Sequence, residues 1–223
     1  MRTPTTTRRA FLSLASFGAL AGCAGFSRTS PFWGTMAAGI DPNKTSNVTR
    51  AYAETLPYAS MAAWFGGAPK SLLVLAEYAP GGRLIWQSAE RQAIFTHGPF
   101  VVRALGTELE LRDTSFTPPV PDLRRADGVR SERWFDVAVE NRRVSFGARS
   151  RFRVGSVKTV DVFGDKRRLR HVSESVSSDG KPRYKNDYWI DEADGFCWKS
   201  RQIVVPTLPP LNIEIVKRPT PQS

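Results

Sequence analysis

From residue 71 to residue 217 the chain repeats one pattern: a short apolar or alternating run, then a turn. The runs fall at 71–77, 83–88, 93–96 and 100–104 in the first half, with a weaker one at 107–116. Residues 117–128 carry three prolines and no pattern, which predicts a loop. The second half continues with 134–139, 144–154, 157–163, 168–176, 183–190, 196–204 and 211–216. Pro80-Gly81-Gly82, Gly164-Asp165, Asp179-Gly180 and Asp194-Gly195 stand between runs, and Asp-Gly favours the tight turns that join antiparallel strands. Strands at such spacing predict a mainly β fold, an antiparallel meander forming a closed or partly open β-barrel. No strand–helix alternation appears, so a nucleotide-binding α/β fold is not expected. One short helix is expected at 46–56, where Val48, Tyr52 and Leu56 recur at four-residue spacing beside Ala51. Ser46 is placed to cap it, and Pro57 ends it.

The first 22 residues are of another kind. Arg2, Arg8 and Arg9 precede an apolar run from Ala10 to Gly22, and no acid occurs before Asp41. A membrane span needs about 20 apolar residues, whereas an export signal needs roughly 7–15 behind a basic start. The run fits the export signal. Leu20-Ala21-Gly22-Cys23 resembles the bacterial lipobox, in which the Cys thiol takes a diacylglyceryl group and the peptide is cut before it. Cys23 is therefore the expected lipidation site. Thr7-Arg8-Arg9-Ala10-Phe11-Leu12 also resembles the twin-arginine export signal, and the general secretory route is the alternative. The expected organisation is a signal peptide at 1–22 and a lipidated tether at 23–45. A single barrel-like domain at 46–217 and a tail at 218–223 follow. Ala24 follows the Cys where Asp would tend to retain a lipoprotein in the inner membrane, so the expected location is the inner leaflet of the outer membrane, facing the periplasm. Palmitate-type acyl chains would hold it there, since one chain alone gives only marginal binding.

Charge bears on partners. The formal net charge is +11, and removing Arg2, Arg8 and Arg9 with the signal leaves +8. Such a balance favours anionic partners. Behind an export signal these are lipid phosphates, peptidoglycan, lipopolysaccharide or acidic exopolysaccharide, and no nucleic acid is expected. Two alternating sets of cations have geometry behind them: Arg149, Arg151 and Arg153, then Lys166, Arg168 and Arg170. Alternate residues of a strand share a face. If the two strands are neighbours, one patch of sheet would gather up to six cations able to grip the carboxylates or phosphates of an anionic glycan; the alternative is a solvated outer face with acids opposite.

Catalytic constellations are missing from the sequence. No Gly-x-Ser-x-Gly turn and no phosphate-binding Gly-Lys loop occurs. His97 and His171 each stand without a second ligand at metal spacing, so no metal and no cofactor are expected. Asp191, Glu192 and Asp194 miss the alternate-position calcium loop and read as a solvated turn. Cys197 has no partner once Cys23 carries lipid and reads as a small buried residue. Trp86, Trp134, Tyr188, Trp189 and Trp198 lie on expected strands, where burial is the usual fate of aromatics and stacking on sugar faces is the alternative.

Several longer fragments carry a family likeness. Leu56-Pro57-Tyr58-Ala59-Ser60, followed by an apolar strand and Trp86, resembles the opening of the YjbF/GfcB family, the group 4 capsule polysaccharide lipoproteins. Asn186-x-Tyr188-Trp189-x-Asp191, Gly195-Phe196-x-Trp198-x-Ser200-Arg201-Gln202, Pro206-x-Leu208-Pro209-Pro210 and Glu214 resemble its carboxy-terminal signature. The segment 106–131 matches least. The resemblance implies an envelope lipoprotein with a β-barrel-like fold that serves the making or export of capsule or exopolysaccharide. It implies no reaction and no active-site residues. The expected function is non-enzymatic binding or scaffolding, with acidic polysaccharide or polysaccharide-secretion proteins as partners. A lipid- or glycolipid-binding barrel and a glycan-modifying hydrolase are the alternatives.

Overall fold

A computed structural model describes residues 48–106, 109–120, 122–139, 142–179 and 183–220. The export signal, Cys23, the tether and Ser46 lie outside the described residues. Among the described residues the fold is a closed antiparallel barrel of twelve strands with one short α-helix. The strands are β1 (Ser60–Phe65), β2 (Ser71–Ala79), β3 (Arg83–Ser88), β4 (Ala93–His97), β5 (Phe100–Leu105) and β6 (Leu109–Thr117). After a 3-10 turn at Leu123–Arg125 come β7 (Arg130–Val139), β8 (Arg142–Val162), β9 (Asp165–Ser177), β10 (Tyr184–Ile190), β11 (Cys197–Gln202) and β12 (Leu211–Lys217). Each strand pairs with the next, and β1 pairs with β12 to close the ring. Among the described residues no helix is long and apolar enough to cross a membrane.

Three local readings are corrected. The helix α1 spans only Arg50–Thr55, and its cap is Thr49, whose side chain accepts from the Tyr52 amide. Leu56 is already extended because Pro57 follows it. β1 was not expected. Its residues are buried on both faces, Met61 and Ala63 in the barrel and Ala62 under α1, so it shows no alternation. The interruption expected between 154 and 157 is a register shift inside the single strand β8. Gly155 sits at that shift because a Cβ there would lie 3.1 Å from the His171 carbonyl.

Side chains fill the barrel. Met61, Trp86, Phe135, Phe152 and Tyr188 are essentially inaccessible to water. Opposite walls touch. Phe100 on β5 packs edge-on to Tyr188 on β10 at 5.5 Å, and Gln202 on β11 accepts from the Val101 amide while donating to Pro99 O. An apolar interior with arginines outside is the reverse of a membrane-spanning barrel.

The β8–β9 ribbon is longer than the barrel is tall. Its tip is a two-residue turn at Phe163-Gly164, with φ of 50° and 83°, as such turns require. The turn is therefore one residue earlier than Gly164-Asp165. Phe163 accepts a left-handed backbone, a cost of order 1–3 kcal/mol, because its ring is buried with Ala62, Leu72, Val74 and Val216 beneath α1. Arg50 of α1 clasps the tip, donating to Phe163 O at 2.9 Å and Val162 O at 2.8 Å. Lys199 of β11 donates to Asp161 O. The ribbon thus leaves the wall and folds back across the outside of β11 and β12. Replacing Arg50 by Ala should lower stability by about 1.5–3 kcal/mol, the range for bonds to charged donors. Hydrogen exchange should quicken at 157–168 and stay unchanged in β3–β6.

Candidate functional site

The strands carrying the two cation sets are neighbours, as anticipated, but the six cations do not form one patch. Directly opposed residues share a face of a sheet. Arg149, Arg151 and Arg153 oppose Ser177, Ser175 and Ser173. On β9 the alternation therefore puts Lys166, Arg168 and Arg170 on the other face, with Val172, Glu174 and Val176. Where β9 lines the barrel that face is interior. Where the ribbon folds back it is turned outward, and the opposite face carries Leu169 and Arg167, whose guanidinium lies 3.7 Å from the Trp198 ring centre. Arg170 is further committed, to Glu192 and to Gly155 O.

The outward set has a different setting. Arg149, Arg151 and Arg153 are exposed. Arg151 and Arg153 have no ion-pair partner among the described residues, and Arg149, which has Glu132 directly opposite it on β7, pairs with Asp179, itself 97% exposed. Arg130 of β7 stands directly opposite Arg151, and Ser175 next to Arg151 stands directly opposite Lys185 of β10. These side chains border a groove of about 1040 Å³ that crosses β7–β10, with Ser175 and Ser177 on its floor and Arg183 at its end. Arg130, Lys185 and Arg183 lay outside the expected patch. Alternation along one strand does not reveal them, because they come from neighbouring strands whose register only the fold supplies.

The sequence also hid the strongest electrostatic feature, which is inside. Arg133 and Glu174 are both completely buried, 3.4 Å apart. Glu174 accepts from Ser150 at 2.5 Å and from Asn186 and Tyr188 at 2.8 Å each. Arg133 donates to Thr114 at 3.2 Å and lies between the rings of Phe116 and Phe135, 4.8 and 4.6 Å from their centres. Burial pushes the Tyr184 hydroxyl up to about 12 and that of Tyr188 well above its ordinary value. Tyr188 is thus a neutral donor to Glu174. The signal was present as a charge on the apolar parity of a strand: Arg133 between Ser131 and Phe135, Glu174 between Val172 and Val176. A carboxylate saturated by four donors and sealed from water is built to hold structure.

The remaining candidates resolve as local structure. His171 meets Asp187 at 2.8 Å and lies beside the Trp189 ring. Asp191 accepts from the Ala193 amide, Asp194 accepts from the Phe196 amide and pairs with Arg218, and Glu192 pairs with Arg170. No group of three or more metal-capable side chains occurs among the described residues. The carboxy-terminal signature is largely architectural. Asn186 and Tyr188 hold Glu174, Gln202 spans the barrel, Glu214 pairs with Lys70 and Lys199, and Gly195 turns at φ 76°. Trp134 departs from expectation, for it is 53% exposed. Cys197 is partly buried, and desolvation pushes its thiol up to about 12.

Glu174→Ala leaves a buried guanidinium without its partner, and stability in urea should drop by about 3–5 kcal/mol. The double change Arg133→Met with Glu174→Leu should cost less than Glu174→Ala alone. For Cys197, the rise from 9.0 to about 12 leaves about a thousandth of the thiolate of an ordinary thiol at pH 8. A thiol reagent should therefore label the native protein about that much more slowly than the urea-unfolded chain. The same shift stabilises the fold below about pH 9, a contribution lost as pH rises toward 12.

Comparison with known proteins follows the fold. The crystal structure of the hypothetical lipoprotein YmcC from Escherichia coli K12 superposes with a TM-score of 0.74 at 22% identity, covering 88% of this chain and all of that one. In sequence, the uncharacterized lipoprotein YjbF of Escherichia coli K12 is 29% identical over 171 residues, 74% of this chain and 77% of the relative. The family model described as group 4 capsule polysaccharide lipoprotein gfcB, YjbF matches residues 29–216. With its twelve-strand barrel and a match over most of its length, the chain belongs to the YjbF/GfcB family of capsule polysaccharide lipoproteins.

Proposed function

We propose that this protein is a lipid-anchored envelope lipoprotein that acts by binding or scaffolding, without catalysis, in the production or export of capsule or exopolysaccharide. The observation that carries this reading is the outward row Arg149, Arg151 and Arg153, cations displayed on a wall with few matching acids. Acidic polysaccharide is the partner such a row fits. Lipid on Cys23 supplies the membrane attachment, export follows Arg8 and Arg9, and the domain faces the periplasm from the outer membrane's inner leaflet. The lipobox-like segment supports these parts of the proposal.

The interior favours this reading over a lipid carrier. Opposite walls meet where Phe100 packs on Tyr188 and Gln202 bonds Pro99 O across the barrel, so side chains rather than a ligand join the two walls there. Titrating the mature chain carrying Cys23→Ala with the host's purified acidic exopolysaccharide should give binding that weakens at high salt. The polymer should keep its length afterwards. Shortened polymer would overturn the non-catalytic reading. No binding at low salt would discard polysaccharide as the partner and point to secretion proteins.

A further inference from the structure

Arg130 and Arg151 stand directly opposite each other on adjacent strands. Like charges in that position destabilise a sheet, and neither has an acid partner among the described residues. Lys185 and Arg183 face them across Ser175 and Ser177. The small serine side chains leave the strand between the cations low, so the surface is a trough rather than a plain. Glu132 and Asp179 are the acids at this face. Asp179 is the exposed partner of Arg149, and an exposed pair holds by only about 0–1 kcal/mol, so a ligand carboxylate can take its place.

The groove runs on into a second recess of about 460 Å³ around Trp134, and Glu132, Arg149 and Ser177 border both. Trp134 faces Gly147 across the strand pair. Three atoms of its six-membered ring lie 3.5–3.6 Å from where a Gly147 Cβ would stand, so the ring rests flat on the glycine. With Gly147 beneath the ring, Trp134 still keeps 53% of its surface exposed. A flat, rigid, exposed ring is a platform for the apolar face of a pyranose ring.

We infer that Trp134 and the Arg130–Arg151–Lys185 groove form one extended site for a uronic-acid-bearing glycan, a sugar ring stacking on Trp134 while carboxylates lie between Arg151, Arg149 and Lys185. The inference rests on the polysaccharide reading above and deepens it. From β7 to β10 the site crosses three strand spacings, about 14 Å at ~4.8 Å each, which suits a short run of sugars in a linear chain. The guanidinium forks match carboxylate geometry in two bonds at once. An anionic membrane surface would use the charges, but it has no use for a trough or for a ring presented face-on.

The test uses the mature chain carrying Cys23→Ala, a galacturonic-acid hexamer as probe and a neutral glucose hexamer as control. The acidic hexamer should bind and the neutral one should not. Joint Arg130→Glu and Arg151→Glu should abolish binding. Trp134→Leu keeps Gly147 covered but removes the flat ring, and should weaken binding about tenfold with no change in unfolding midpoint. Joint Lys166→Glu and Arg168→Glu, on the other ribbon face, should leave affinity within about twofold. The inference is overturned if the acidic hexamer fails to bind, if Trp134→Leu binds as tightly as the parent, or if only the Lys166 and Arg168 changes matter. It is also overturned if vesicles of anionic lipid bind through Arg130 and Arg151 and the hexamer does not. Binding of the host's exopolysaccharide that is indifferent to these groove changes would leave the broader function standing and remove this site.

Discussion

The ladder between β1 and β12 turns a sheet into a ring. Without it β1 and β12 would each present a row of unpaired amides and carbonyls, an invitation to pair with another chain. With it every strand has two neighbours, and the inner face of each strand is committed to one shared interior. Closure demands tight coiling, and the register shifts in six of the strand pairs supply it. The most consequential lies in β8, where the ribbon departs from the wall and the face that had been interior becomes solvent-facing.

A twelve-strand ring encloses more width than aliphatic side chains alone fill, and the protein meets this in two ways. The walls approach until Phe100 touches Tyr188 and Phe152. Between them sits a polar cluster in which Arg133, Ser150, Asn186 and Tyr188 all converge on Glu174. The carboxylate has all its partners, whereas Arg133 Nη2 has no hydrogen-bond partner among the described residues and the guanidinium is faced by the Phe116 and Phe135 rings, so losing any donor would add a further unsatisfied buried group. Its geometry fixes the mutual positions of β7, β8, β9 and β10. Those four strands are also the ones whose outer face carries the groove, so the interior cluster sets the spacing of the exterior cations.

The second half of the fold was legible because β7 to β11 largely bury one face and wet the other, whereas the short strands of the first half were read from apolar runs between turns. β3, with its apolar run from Ile85, has the same bounds in the sequence and in the structure. β1 was not legible because both its faces are covered, which erases the period-two signal, and because it holds no Leu, Ile or Val to mark it as β2 and β3 are marked. The site was half legible. Arg149, Arg151 and Arg153 announce a common face by spacing alone, whereas Arg130, Lys185 and Trp134 join them through register, a long-range property. The alternation of Lys166, Arg168 and Arg170 was read correctly as a shared face, but not which face, since that depends on where the ribbon leaves the barrel. Glu174 was missed because a charge at an apolar position looks like an exception until its four partners are in place.

The helix α1 has a further consequence through where it sits on the ring. It packs on β1, β2 and β12, and in the order of the barrel those strands lie on the far side from β7 and β8. The chain leading from the proposed anchor enters the domain at α1, so in the tethered form the point of attachment and the groove occupy opposite walls. A polymer lying in the groove would therefore meet neither α1 nor the clasped tip of the ribbon.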